Sequence, residues 1–250
     1  MEKKKILITG FPHAGTSILK SKMGECENLY EFPFESPFVE HHHILNSNDK
    51  EFVLVKYPML PLDIRVDGPE RTRILESRYF GYIIIFVIRN PWNLFTSIIK
   101  AGNNPLNECD DHRRPEYHSK ISEYLVSAEM FLNARNNNYK DIYTIKYEEF
   151  FDNDGKAIKN IMDSIGLKYK QNIFETKSKE YIHWPGIKLV NLKESELDYK
   201  NKRYEYRTWQ INQPFQNMNR EVNIPDELDK ILKESPIIKE LGYSDPRLTY

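Results

Sequence analysis

Long apolar runs are missing from this sequence. The longest, Tyr82 to Ile88, falls far short of the roughly 20 residues that a helix needs to cross a bilayer. The basic start Met1–Lys5 is followed by only Ile6, Leu7 and Ile8 before Thr9-Gly10, too little for the apolar core of a signal peptide. The expectation is a cytoplasmic protein with no membrane partner. Cysteine is scarce: Cys26 and Cys109 belong to no motif, which excludes a disulfide framework or a thiolate metal site and fits a reducing compartment. An excess of one charge is missing too. With 36 Lys and Arg against 37 Asp and Glu, no overall field draws the chain onto nucleic acid, and any anion site has to be built locally. Internal repeats and linker-like segments are absent, so residues 1–250 read as one domain, long enough to bury a core.

What is present is an alternation of apolar strands and helical periods. Phe52–Lys56, Tyr82–Ile88 and Ile142–Lys146 read as strands. The unbroken run at 82–88 has the character of the centre of a parallel sheet. Leu29 to Phe32 reads as a brief strand, and Glu70 to Phe80 as a helix with a charged face. Asn90-Pro91 opens a helix through about Lys100, with cap and first-turn proline in their preferred positions. Ile121, Leu125, Ala128 and Leu132 carry another helix, and Ala157 to Ile165 one more, stopped at Gly166. A helical period returns only over 228–241. His41-His42-His43 cannot all face one metal from a regular element and read as a solvated segment. The pattern implies an α/β fold, with a central parallel sheet flanked by helices in three layers.

The chemistry starts at the first strand. Ile6–Ile8 runs into Gly10-Phe11-Pro12-His13-Ala14-Gly15-Thr16-Ser17-Ile18 and then into helical spacing. Such a loop aims successive N–H groups and the positive end of a helix at one spot, an anion nest. The spacing is that of a Walker A loop with Thr16 where the lysine belongs, which argues against an ATPase or GTPase. At the next apolar strand, Arg89 leaves the carboxyl end, where open α/β sheets bind ligands. Its guanidinium suits a phosphate. Ser97 stands about 9 Å up the following helix from Pro91 and can share a ligand with Arg89 only along the helix flank. A magnesium-binding Asp would be expected near here in a nucleoside triphosphatase, whereas the strand ends in Arg89-Asn90.

Phe11-Pro12-His13-Ala14-Gly15-Thr16-Ser17 resembles the loop Tyr-Pro-Lys/Arg-Ser-Gly-Thr-Thr of sulfotransferases that use 3′-phosphoadenosine-5′-phosphosulfate (PAPS). Arg89-Asn90-Pro91 with Ser97 resembles their 3′-phosphate element. Ile142 to Asp152 with the helix ending in Gly166-Leu167 resembles their strand, Tyr-Glu-Asp and helix. The likeness runs in order over residues 5–167. It implies a P-loop-like sulfotransferase domain, closer to the carbohydrate and protein-tyrosine types, with PAPS as cosubstrate and no metal. By the same resemblance His13, Ala14, Gly15, Thr16, Ser17, Ile18, Arg89, Ser97 and Tyr147 bind the cosubstrate, with Arg203 or Arg207, near Tyr206-Arg207-Thr208-Trp209, reaching the 3′-phosphate. The acceptor is a hydroxyl or amine of a small molecule or glycan.

Two departures stand out. The loop lysine or arginine of the family is His13, which can still donate a hydrogen bond when neutral and carry charge when protonated. Lys56-Tyr57-Pro58-Met59-Leu60-Pro61 resembles the cytosolic members' Lys-Thr-His-Leu-Pro but lacks its catalytic histidine. The base then has to come from elsewhere, Glu31 by preference and Glu35 in reserve, with His13 and Lys56 holding developing charge. A small-molecule kinase with a degenerate P-loop, and an inactive nucleotide-binding protein of the same fold, are the rival readings.

Overall fold

Residues 3–32, 49–57, 81–102, 117–175, 212, 215–217 and 221–248 are described by the structure, a computed structural model. Their strands are β1 (Lys4–Gly10), β2 (Leu29–Glu31), β3 (Phe52–Lys56), β4 (Tyr82–Ile88) and β5 (Ile142–Lys146). They form a sheet in the order β2-β3-β1-β4-β5, and every pairing is parallel. Position follows composition. The continuous apolar runs of β1, β3 and β4 occupy the three inner places, buried on both faces. β5, with only Ile142 and Ile145 buried among half-buried residues, lies at one edge, while three-residue β2 forms the other. The α/β architecture read from the sequence is the one observed, and the bounds expected for β3, β4 and β5 are those found.

The flanking helices are α1 (Thr16–Met23), α2 (Pro91–Gly102), α3 (Tyr117–Asn137), α4 (Lys156–Ile165), α5 (Asp226–Glu234) and α6 (Pro236–Glu240). α1 packs on β1 and β3, and α3 on β4 and β5. α2 starts as expected: Asn90 Oδ1 accepts the Trp92 N–H at 3.1 Å, with Pro91 in the first turn where its missing N–H costs nothing. The helical period at 228–241 divides into α5 and α6. The break falls at Ser235, extended at φ −65° and ψ 121°, because the proline after it disfavours helical backbone there. The expected helix at 70–80, the His41–His43 segment and residues 103–116 lie outside the described residues.

The C-terminal part is fastened to α2. Trp92 Nε1 donates to Asp229 Oδ1 at 2.7 Å. Asp229 also pairs with Lys233 and Arg247, and both of these reach the buried carboxylate of Asp245. Hydrogen bonds from Arg247, with Lys233 beside it, hold the Asp245 carboxyl down at about 2. A carboxylate with a depressed pKa stabilises the fold above its unfolded value, and the contribution is lost as pH falls through the folded value. Asp245→Asn is therefore expected to lower stability at neutral pH by about 1–3 kcal/mol. The gap to the unsubstituted protein should close as pH falls from about 4 towards 2. Thermal unfolding followed by circular dichroism across that range checks this, and a gap independent of pH would refute it.

Gly10 has φ +151°, and a Cβ there would stand 2.2 Å from the Val87 carbonyl oxygen. The clash is with the backbone of the central sheet, which cannot move aside. Gly10→Ala should cost at least about 2 kcal/mol, read as a lower urea midpoint with an unchanged m-value.

Candidate functional site

β1, β3 and β4 deliver their carboxyl ends side by side, and of the sequence-predicted residues the loop, Lys56, Arg89, Ser97 and Tyr147 gather there. The loop after β1 turns through His13 at φ +68° and Gly15 at φ +97°. Ala14 N–H donates to the Phe11 carbonyl at 3.0 Å. The loop is anchored from below by Phe11, buried edge-on against Tyr124 at 5.5 Å between centroids. Thr16, Ser17 and Ile18 form the first turn of α1, where the positive end of the helix dipole lies; Ile18 N–H is taken by the Gly15 carbonyl at 3.1 Å.

β3 brings Lys56 to this turn. The β1–β3 register pairs Lys56 with Ile8, and the ammonium donates to Ser17 Oγ at 2.7 Å from a buried position. β4 brings Arg89. Its Nη1 donates to the His13 carbonyl at 3.2 Å, and its guanidinium lies 4.3 Å above the Tyr147 ring. Ser97, on α2, has Oγ 3.5 Å from His13 Nδ1. The flank geometry expected of Arg89 and Ser97 thus resolves onto one residue, with Ser97 at the ring of His13 and Arg89 at its carbonyl.

Further residues fix the Arg89 corner. Tyr124 donates its hydroxyl to the Arg89 carbonyl at 2.7 Å. Glu148 accepts the Asn90 N–H at 2.9 Å and the Tyr243 hydroxyl at 3.1 Å. Burial, reinforced by the Glu148 charge, pushes the Tyr243 phenol far up, so it stays a donor. Glu148 stands beside Tyr147 in the segment that resembles Tyr-Glu-Asp, but the sequence reading gave it no role. Nothing in the sequence signalled Tyr124 or Tyr243, which arrive from α3 and from beyond α6.

Glu31 is not brought to the loop. β2 pairs Glu31 with Leu54, and β1 pairs Leu54 with Ile6, four positions before Gly10, or about 13 Å along the strand. The carboxylate pairs instead with Lys20 Nζ at 3.7 Å. It lies against Gly24, past the far end of α1 from the loop, where a Cβ would meet its oxygen at 2.1 Å. Lys20 went unremarked in the sequence because its spacing carries no motif. Glu35, Arg203 and Arg207 lie outside the described residues.

Lys56, Arg89, Ser17, Ser97 and a helix N-terminus on one edge can hold a ligand with more than one anionic group. No protein-family model matches the chain, and neither does any curated protein. Solved structures do. The sulfotransferase domain of the curacin biosynthetic pathway is 13% identical, with a TM-score of 0.54 over 98% of this chain and 99% of that one. The sulfotransferase domain of the Synechococcus PCC 7002 olefin synthase is 12% identical, with a TM-score of 0.52 over 98% and 97%. A mouse sulfotransferase complexed with PAP is 13% identical, with a TM-score of 0.50 over 97% and 89%. Similarity at this level of identity speaks for architecture, and the parallel sheet with its flanking helices is common to all three. The chain has the sulfotransferase fold.

Proposed function

We propose that the protein is a PAPS-dependent sulfotransferase, moving a sulfuryl group to a hydroxyl or amine of a small-molecule or glycan acceptor. The observation that carries the reading is the pairing of two basic subsites across His13: the loop with Lys56 and Ser17 on one side, Arg89 with Ser97 on the other. A cosubstrate with a 5′-phosphosulfate and a 3′-phosphate matches that division. The donor set is cationic and dipolar where magnesium-dependent phosphoryl transfer calls for a carboxylate, and the reaction proposed needs no metal.

The acceptor oxygen loses its proton to a base and bonds to sulfur, while the S–O bond to the 5′-phosphate breaks and the bridging oxygen leaves on the phosphate. The positive end of α1 would stabilise the sulfuryl and phosphate oxygens, and Lys56 and His13 would hold the charge that grows on them. The Lys20 pair and the sheet register speak against Glu31 as the base. Glu35, the second carboxylate of the same segment, is then the one we assign.

Calorimetry tests the cosubstrate. Adenosine 3′,5′-bisphosphate should bind without added metal, and Arg89→Ala should weaken it roughly ten- to a few hundred-fold, as for a lost charged hydrogen bond. Magnesium-dependent release of phosphate from ATP, or equal affinity for the bisphosphate and AMP, would overturn the reading.

Turnover tests the base. Glu35→Gln should leave bisphosphate affinity unchanged and slow sulfuryl transfer roughly a hundredfold or more, whereas Glu31→Gln should keep most of the activity. The opposite pattern would return the role to Glu31, and full activity in both variants would remove a carboxylate base from this segment.

A further inference from the structure

Arg89 is pinned at its carbonyl by Tyr124 and through the next residue by Glu148, but those contacts leave the orientation of its guanidinium open. Tyr147 supplies that orientation. The face of the Tyr147 ring carries the guanidinium at 4.3 Å, within the range where the electron-rich face attracts a planar cation. The edge of the same ring fills the space that a side chain on Gly15 would need: a Cβ there would meet Tyr147 Cδ2 at 2.3 Å and Cε2 at 2.7 Å. One ring therefore touches the loop with its edge and Arg89 with its face.

The ring has little room to turn. Phe151 packs on it at 5.0 Å in a T-shaped arrangement and Phe150 at 5.4 Å, and Tyr147 itself is buried. A guanidinium held over Tyr147 thus has its distance from the loop bounded by the ring, and one of its donors already reaches the His13 carbonyl.

We propose that Tyr147 is a positioning residue that sets the spacing of Arg89 from the loop, so that the protein selects a nucleotide with a 3′-phosphate over one with a bare 3′-hydroxyl. This rests on reading the loop and Arg89 as the two anion subsites. It goes further in assigning the selectivity to an aromatic face that is itself no donor to the phosphate. The phenol hydroxyl is not required, so Tyr147→Phe preserves the effect, whereas an aliphatic side chain of similar bulk abolishes the face while still supporting Gly15.

The test is the ratio of affinities for adenosine 3′,5′-bisphosphate and AMP, measured by calorimetry on the whole chain. Tyr147→Phe should keep the ratio of the unsubstituted protein. Tyr147→Met should lower it roughly two- to thirty-fold, the span of a cation–π contact, because the bisphosphate loses more affinity than AMP does. Tyr147→Leu carries the same expectation and serves if the methionine variant does not fold. Aliphatic variants that keep the ratio, or that lose affinity for both nucleotides alike, would overturn the proposal, the latter because the ring then merely supports the loop. If the unsubstituted protein itself binds the two nucleotides equally, the subsite reading fails, and this inference fails with it.

Discussion

A guanidinium buried at the end of a central strand has to be held from several directions, and much of this structure is arranged around meeting that requirement for Arg89. Its carbonyl is taken by Tyr124 from α3, its side chain by the His13 carbonyl and the Tyr147 face, and the backbone just after it by Glu148. Burying a charge without such partners is expensive. The partners come from several elements, so the sheet, α3, the turn after β5 and the C-terminal Tyr243 all meet at this corner. The loop after β1 is part of the same assembly, because Gly10 closes onto Val87 two residues before Arg89.

The sequence made some of this readable for definite physical reasons. Three inner strands announced themselves because parallel strands covered on both faces lose the alternation of a half-exposed one. The loop was readable because glycine at Gly10 and Gly15 meets a backbone demand, and the capped start of α2 because Asn90-Pro91 is a local signal. Partners that meet across long sequence separations carry no such mark. Tyr243 bonds to Glu148, and Asn90 Nδ2 to the Ser244 carbonyl, through contacts that no spacing rule anticipates. Glu31 shows the same limit in reverse. The resemblance put it forward as a base from its place after the first helix, but its height on the sheet is set by register with β3, and register is a property of the pair.

α2 is the member through which distant parts communicate with the site. It carries Ser97 beside His13, its cap Asn90 is held by Glu148, and its Trp92 is tied to the Asp229, Lys233, Asp245 and Arg247 group. Thr96, on the same helix, accepts the Asn223 N–H at 3.1 Å. The residues around 223–248 therefore act as a brace on the helix that carries Ser97.

The order of the strands also bears on how the chain comes off the ribosome. β1 is made first and ends in the middle of the sheet, with Lys4 paired to Phe52 and Lys5 to Tyr82. Both long edges of this apolar strand have to wait, unpaired, until β3 and β4 have been synthesised, and non-local parallel pairing of this kind is slow to form. Exposed strand edges in that interval invite association with other chains. The run of lysines at its start, Lys3 to Lys5, gives the waiting strand a charged gatekeeper. Two of the three later settle over the aromatic rings of their own strand partners, Phe52 and Tyr82, so the residues that guard the nascent strand are also the ones that clasp it once its neighbours arrive.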